Sequence, residues 1–256
     1  MNLYIFADIE GIGGIPSSDY VMPEGRYYSL GRKYFAGDIN ACARACFEAG
    51  AEKVIVRDGH GSGLNLDWAD LDERIQLIQG ETPYVRFPGI VGCDAMILLG
   101  YHAMAGTEGA VLEHTYWSRG IQNMWLNGTR VGEFAVDTAI AAEYGVPVIM
   151  TSGCDKLCAE AKRFLPEVVT CQVKISTGVQ SARMLSPSCV HKLIAAKTKE
   201  AIANRDRVPV RRISPVTLRT EYIERLPPPK TRGCVAVDGR TWEITSESVE
   251  RALYNQ

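Results

Sequence analysis

Short apolar runs alternate with amphipathic stretches along the first 200 residues. The runs that predict strands are LYIFAD (3–8), KVIVRDGH (53–60), AMILLGYH (95–102) and VPVIMTSG (146–153). A stretch from about Gly31 to Gly50 predicts a helix, and its closing glycine is typical of a helix C-cap. The segment EFAVDTAIAAEYG predicts another helix before the fourth strand. Strands that alternate with helices predict a largely parallel sheet covered on both faces.

Between the third and fourth runs, IQNMWLNGTRVG places Asn127-Gly128 between alternating apolar and polar residues. An Asn-Gly pair in this setting is a strong local signal for a β-hairpin, so we expect the sheet to be mixed. Two further helices are predicted at CDKLCAEAKRFLP and at 186–204, on either side of a strand near 168–176.

The pattern changes after Arg205. The segment from 206 onward is rich in β-branched residues and contains a PPP break, an Asp-Gly turn and a final helical pattern at 246–254. We therefore predict an α/β domain over 1–205 and a C-terminal β-rich annex over 206–256 that ends in a helix. The predicted fold class is a three-layer α/β/α arrangement with a mostly parallel mixed sheet, plus this small annex.

Composition and charge narrow the function classes. The chain has 256 residues, of which 46% are hydrophobic and 23% charged, so it can bury a large core and is neither disordered nor fibrous. The formal net charge of −2 provides no basic surface for nucleic acid and no polybasic patch for a membrane. We expect small-molecule or peptide chemistry, with no nucleic acid and no membrane as partners.

The eight cysteines are scattered and include no CxxC pair. Several lie inside apolar runs, which is typical of small core residues in a reducing compartment. The chain begins directly with a strand-like run and contains no uncharged apolar stretch long enough to span a bilayer. We therefore expect a soluble, unprocessed protein of the cytoplasm.

Candidate metal-binding side chains follow the ends of the predicted strands. Asp8 and Glu10 end the first strand, His60 follows the second, His102 follows the third, and Glu133 opens the helix after the hairpin. Ligand sites of open α/β sheets form beyond the carboxyl ends of the strands. These residues are far apart in sequence, but we expect them to meet in one crevice.

This set of carboxylates and imidazoles suits zinc or a similar first-row ion better than magnesium or an all-sulfur site. Three carboxylates and a bridging hydroxide would balance two divalent ions, and Asp8 could bridge the pair. Two ions roughly 3.5–4 Å apart polarise a carbonyl and lower the pKa of bound water. The set therefore predicts a hydrolase.

Each residue also has a simpler interpretation. A single histidine at a strand end is more often a hydrogen-bonded loop residue, although agreement among several strand ends favours ligands. Asp8 and Glu10 could pair with Arg32 or Lys33, and Asp58 could orient a histidine or hold a turn. The GIGG glycines miss the dinucleotide-binding pattern, and we expect them to let the backbone pass close to metal and substrate.

Four segments resemble the metal-dependent D-aminopeptidase family, the DppA-like enzymes. They are YIFADIEGIGGIP, VIVRDGHG, LLGYHAMAGTEGAVLEHTY and NGTRVGEFAVDTAIAAEYGVPVIMTSGCD, and the resemblance runs from residue 1 to about 200. It implies two zinc ions per subunit and Asp8 as the bridging carboxylate. The zinc ligands that it implies are Asp8, Glu10, His60, His102 and Glu133.

The resemblance also implies that His114 is the catalytic residue, which is described in the family as a nucleophile. Chemistry alone would make His114 a general acid or base near metal-bound water, because hydroxide already supplies a nucleophile. The family removes an N-terminal D-residue, such as D-Ala, from short peptides and forms ring-like homo-oligomers with the active sites facing an internal channel. The resemblance therefore implies short D-amino-acid peptides as substrates and a ring-like homo-oligomer.

Two other function classes stay open at this point. In a haloacid-dehalogenase-like phosphohydrolase, Asp8 would be the nucleophile and Glu10 the acid/base. The usual Asp-x-Asp-Gly-Thr pattern of those enzymes is replaced here by DIEGI. A non-enzymic, metal-stabilised binding module is the other alternative, but structural zinc sites are normally closed and sulfur-rich.

Overall fold

The protein is described by a computed structural model that covers residues 1–227 and 229–255. The strands in this part of the chain are β1 (Asn2–Ala7), β2 (Lys53–Asp58), β3 (Ile75–Ile78), β4 (Ala95–Tyr101), β5 (Ile121–Leu126), β6 (Thr129–Val131), β7 (Val148–Cys154), β8 (Val169–Gly178), β9 (Ser181–Met184), β10 (Val216–Tyr222), β11 (Cys234–Ala236) and β12 (Thr241–Ser246). The helices are α1 (Tyr28–Glu48), α2 (Glu133–Glu143), α3 (Asp155–Phe164), α4 (Pro187–Ala203) and α5 (Val249–Leu253).

The main sheet has the order β3-β2-β1-β4-β7-β8-β9. The pairs from β3 to β8 are parallel, and only the edge strand β9 runs antiparallel to its neighbour. Strands β4 and β7 are buried along their whole length, which is typical of parallel strands covered on both faces. The predicted mixed α/β class is confirmed.

Helices cover both faces of this sheet. On one face, Met150 of β7 accepts a hydrogen bond from the Thr198 hydroxyl of α4 at 3.7 Å. Ile5 of β1 and Met150 of β7 both pair with Ile97 of β4, so the side chain of Ile5 lies on the same face of the sheet as that of Met150. Successive side chains of a strand alternate between faces, so Phe6 lies on the opposite face. There the Phe6 ring contacts Tyr101, which donates a hydrogen bond to α2. None of the described helices is both long and apolar enough to cross a membrane.

A second, antiparallel sheet has the order β11-β12-β10-β5-β6. The predicted hairpin is present as β5 and β6, with positive φ at Asn127 (49°) and Gly128 (81°). The main sheet is mixed, as predicted, but its antiparallel strand is β9, because the hairpin belongs to the second sheet. From Asn123 to Leu126, half-buried residues alternate with buried ones in β5, which is typical of a strand with one covered face.

The second sheet combines strands from both sides of the predicted boundary at 205/206. Strand β10 of the annex pairs with β5, placing Leu218 opposite Leu126. Helix α5 also contacts the segment before the boundary, because Glu250 accepts hydrogen bonds from the Arg86 amide at 2.6 Å and from the Tyr144 hydroxyl. The division into 1–205 and 206–256 stays a prediction. The terminal helix lies where the sequence pattern indicates it.

Candidate metal centre

The order of the main sheet explains how distant side chains meet. Strand β1 lies between β2 and β4, so Asp8, directly after β1, lies between His60 and His102. Asp8 Oδ1 is 3.3 Å from His60 Nδ1, and Asp8 Oδ2 is 3.3 Å from His102 Nε2. One carboxylate therefore faces both imidazoles, one oxygen to each.

The first group around this carboxylate contains Asp8, Glu10 and His60, whose ligand atoms lie within 4.8 Å of one another. Glu10 Oε2 is 3.2 Å from His60 Nδ1. The other ring nitrogen, His60 Nε2, donates to the Val21 carbonyl at 3.1 Å. This hydrogen bond holds Nε2 and directs Nδ1 at the carboxylates, where it can carry a proton or bind a metal ion.

The second group contains His102, His114 and Glu133. Glu133 Oε1 lies 3.2 Å from His102 Nε2 and 3.7 Å from His114 Nε2. The two imidazole rings are stacked, with centroids 3.8 Å apart and an interplanar angle of 10°. His102 Nδ1 donates to the Ala103 carbonyl and His114 Nδ1 to the Leu112 carbonyl. Both Nε2 atoms are thereby directed at Glu133.

The charges of these groups compensate one another. Burial alone would raise the pKa of Asp8, but the neighbouring imidazoles of His102 and His60 hold it well below its usual range. Burial would lower the pKa of His60, but the charges of Glu10 and Asp8 raise it well above its usual value. Burial would also lower the pKa of His102, but the charges of Glu133 and Asp8 raise it well above its usual value. The buried carboxylates therefore require a cationic partner, which can be a protonated imidazole or a metal ion.

Two buried atoms of the candidate centre lack hydrogen-bond partners in the described part of the chain, which bears on whether a metal ion fits there. Among the described residues, Glu10 Oε2 and His102 Nε2 are buried without a hydrogen-bond partner. Unpartnered buried polar atoms are costly, and here both belong to convergent ligand groups. Nitrogen and oxygen donors of this kind suit zinc. The residues present therefore fit a metal ion in each group, with Asp8 between the two.

Glu133 is held by its helix and by two neighbours. It is the first residue of α2, where a negative charge is favoured by the helix dipole. Its Oε1 accepts from the Tyr116 amide at 2.7 Å, and its Oε2 lies 3.7 Å from Arg86 Nη2. Arg86 also makes two 2.9 Å hydrogen bonds to Asp137. Sequence reasoning missed Arg86, which lies in a loop without a recognisable motif.

Lys174 of β8 is a second residue that sequence reasoning missed. Its side chain is buried, and Nζ donates to three carbonyls of the loop after β1: Glu10 at 2.5 Å, Ile12 at 3.0 Å and Ile15 at 2.7 Å. Burial lowers the pKa of Lys174 to about 8. A lysine inside the apolar run VVTCQVKIS was the available signal, because lysine is almost never fully buried without a partner.

The simpler interpretations of the charged residues are also resolved. In the described residues neither Asp8 nor Glu10 forms an ion pair with Arg32 or Lys33, and the Arg32 guanidinium binds the Asn65 carbonyl instead. The Asp58 carboxylate accepts from the Asn65 amide at 2.6 Å and from its side chain at 2.8 Å. Asp58 therefore holds the loop that contains His60 and does not contact the imidazole ring.

The GIGG loop passes close to a neighbouring strand. The Gly11 amide donates to the Gly100 carbonyl at 2.7 Å, and a Cβ on Gly11 would lie 1.9 Å from the Tyr101 carbonyl oxygen. Only glycine allows this approach. We expected the glycines to make room for metal and substrate, but the close neighbour of Gly11 is the backbone of β4.

Comparisons with known proteins agree with this geometry. A family model of Peptidase M55, described as D-aminopeptidase, matches residues 1–254. A D-aminopeptidase of Bacillus subtilis (strain 168) is 34% identical over 212 residues, which cover 81% of this chain and 76% of the relative.

A solved structure, described as the Zn-dependent D-aminopeptidase DppA from Bacillus subtilis, a self-compartmentalizing protease, superposes with a TM-score of 0.92. It is 29% identical in sequence, and the match covers 98% of this chain and 94% of that one. A family match over almost the whole chain, a relative above 30% identity and a shared fold point the same way. The chain belongs to the D-aminopeptidase family, Peptidase M55.

Proposed function

We propose that the chain is a dizinc aminopeptidase that removes an N-terminal D-residue, such as D-Ala, from short peptides. Membership of the family makes it an aminopeptidase and favours this class over a phosphohydrolase or a binding module. The observation that carries the dizinc proposal is the position of Asp8, with one oxygen facing each of two ligand groups. The preference for a D-residue is supported by the description of the relatives.

The proposed ligands are Asp8, Glu10, His60, His102 and Glu133. Bound there, zinc supplies Lewis acidity for the peptide carbonyl and lowers the pKa of water. The protein's own part is to orient the donors: carbonyl oxygens fix the ring tautomers of His60 and His102. The Tyr116 amide fixes Glu133.

His114 is the proposed catalytic residue. Its Nδ1–H is held by the Leu112 carbonyl at 3.0 Å, so Nε2 is the atom free to accept or donate a proton. The stack on His102 fixes the plane of the ring, and Nε2 lies 3.7 Å from Glu133 Oε1. We propose that His114 Nε2 takes a proton from the water that attacks the peptide carbonyl and gives it to the amine that leaves when the C–N bond breaks.

We also propose that the chain forms a ring-like homo-oligomer that encloses its active sites. This proposal is supported by the relative described as a self-compartmentalizing protease, whose fold matches 98% of this chain. Light scattering after size-exclusion chromatography should give a mass that is a multiple of 28.1 kDa. A protein that remains at 28.1 kDa at micromolar concentration contradicts the assembly but leaves the metal centre untouched.

The dizinc proposal is tested by Asp8→Ala. Because Asp8 serves both groups, this change should lower the zinc content from two equivalents per chain and reduce cleavage of D-Ala-p-nitroanilide by at least about 100-fold. Elemental analysis of protein purified without added metal and a chromogenic assay measure the two effects. Asp206→Ala is the matched control, since the Asp206 side chain is 86% exposed.

Two results would count against this assignment. One is an Asp8→Ala protein that keeps both its zinc and its activity. The other is a wild-type protein that turns over a phosphate monoester and does not cleave the anilide, because that result would favour the phosphohydrolase alternative over the aminopeptidase.

A further inference from the structure

Arg57 of β2 is a buried cation without a carboxylate partner. Its residue is 7% exposed, and within residues 1–227 and 229–255 it forms no ion pair. The guanidinium binds two carbonyls, Gly80 at 2.7 Å and Ile78 at 3.4 Å, and its Nε has no partner. The adjacent carboxylate of Asp58 is taken up by Asn65 and by the Leu66 amide. A buried charge without a counter-ion is energetically costly, so binding of an anion next to Arg57 would be favourable.

Arg57 lines a cavity of about 280 Å³ together with a second arginine, Arg86. Gly59, Gly61 and Ser62 also line it, and one acidic side chain, Glu81, lies on its exposed rim. In the described residues Glu81 makes no ion pair with either guanidinium. Arg86 is already paired with Asp137, so Arg57 is the arginine of this cavity whose charge a bound anion could neutralise.

This cavity borders the candidate metal centre. Gly59 and Gly61 flank His60 in the chain, and Phe6, which also lines the cavity, lies two residues before Asp8. Arg86 Nη2 is 3.7 Å from Glu133 Oε2. The cavity is therefore adjacent to the place where the first residue of a bound peptide would lie, and its Arg86 side reaches the ligand group that contains Glu133.

We propose that this cavity is the subsite for the C-terminal carboxylate of a short peptide, and that Arg57 is the residue that sets a preference for a free carboxylate. The inference rests on the proposed function, since it places the N-terminal residue of the same peptide at the metal centre. Guanidinium groups bind carboxylates through paired, charge-assisted hydrogen bonds. Because Arg57 is held in place by two backbone carbonyls, a carboxylate bound to it would favour short peptides over long ones.

The test compares D-Ala-D-Ala with its C-terminal amide. Binding is measured by calorimetry on the zinc-loaded protein in a His114→Ala background, so that the peptide is not consumed. We expect the acid to bind at least about tenfold more tightly than the amide, and Arg57→Gln to remove this difference. Arg183→Gln, an exposed arginine on the opposite edge of the main sheet, should leave it unchanged.

Arg57→Lys keeps the charge but not the planar pair of donors, so its acid-to-amide ratio should fall between those of the parent protein and Arg57→Gln. This variant decides the question if Arg57→Gln does not fold. Equal binding of the two peptides by the parent protein, or a ratio that neither substitution lowers, overturns the proposal. Inorganic phosphate is the comparison anion: Arg57-dependent phosphate binding with equal binding of both peptides would assign the cavity to a free anion instead.

Hydrolysis of D-Ala-D-Ala by the protein with His114 intact is measured separately. Acid-selective, Arg57-dependent binding without hydrolysis would contradict the proposed function and support the subsite. Hydrolysis of acid and amide with equal kcat/KM, unchanged in Arg57→Gln, would support the function and overturn the subsite.

Discussion

At the scale of single residues, the candidate centre depends on atoms whose roles are fixed by their neighbours. One ring nitrogen of His60 and one of His102 donate hydrogen bonds to backbone carbonyls. These bonds direct the second nitrogen of each ring at Asp8. The residue types could be predicted from the sequence because each follows a strand-like run. Arg86 could not, because it is defined by partners far along the chain that no local pattern identifies. Lys174 stands out as a lysine inside an apolar run, but the sequence does not show that its partners are the carbonyls of the loop after β1.

Lys174→Met should destabilise the protein and weaken zinc binding. The substitution keeps most of the side-chain volume but leaves the carbonyls of Glu10, Ile12 and Ile15 without their buried donor. Each unsatisfied buried acceptor costs about 1–3 kcal/mol, so we expect a loss of about 3 kcal/mol or more in the free energy of unfolding. Urea unfolding of the metal-free protein and zinc titration measure the two effects.

Lys192→Met is the control for this substitution, because Lys192 is exposed on α4. It should change the unfolding free energy by less than about 0.5 kcal/mol. If Lys174→Met were as stable as this control, the lysine would not be holding the loop that carries Glu10.

At the scale of elements, the alternation of strands and helices along the chain could be predicted, but the order of the strands in the main sheet could not, and two edge strands were missed. β3 and β9 are four residues long each, too short for a periodic pattern to identify. The hairpin was recognised from Asn127-Gly128, but its sheet was not, since a turn signal says nothing about the strand that pairs on the far side of β5.

Helices α1 and α4 are joined by an imidazole–carboxylate contact as well as by the exposed Lys199–Glu48 ion pair. His191 Nε2 of α4 lies 3.4 Å from Asp38 Oδ1 of α1, and Asp38 Oδ2 accepts from the Gly13 amide at 2.8 Å. The hydrogen bond to Asp38 raises the pKa of His191 above its ordinary value of 6.5. A raised histidine pKa stabilises the fold fully below pH 6.5, and this stabilisation is lost as the pH rises through the folded-state pKa.

We therefore expect His191→Gln to be less stable than the wild type at pH 5.5 and equal to it at pH 8.5. The His191 side chain is 41% exposed, so solvent screening limits the difference to about 0.5–1 kcal/mol. Urea unfolding at several pH values measures it, and Asp38 is unchanged in both proteins. A difference that is the same at pH 5.5 and pH 8.5 would show that the contact acts through packing and not through charge.

At the scale of the whole molecule, the second sheet links the C-terminal segment to the metal centre. Strand β10 pairs with β5, and Glu250 of α5 binds the Arg86 amide, while the Arg86 guanidinium lies beside Glu133. The change in composition after Arg205 indicated a separate annex. It could not reveal these contacts, because a composition change marks a difference in local structure and not an absence of packing.

These contacts predict that a chain of residues 1–205 will not fold by itself. Removal of the rest would expose the apolar face of β5, including Met124 and Leu126, and leave its backbone donors and acceptors unpaired along the β10 edge. It would also remove the partner of the Arg86 amide next to Glu133. We expect the fragment to bind a hydrophobic dye and to unfold without a cooperative transition, whereas the full chain unfolds cooperatively under the same conditions. A soluble 1–205 fragment with a sharp thermal transition and a full complement of zinc would instead establish the predicted boundary as a true domain boundary, because only a segment with its own complete core can fold alone.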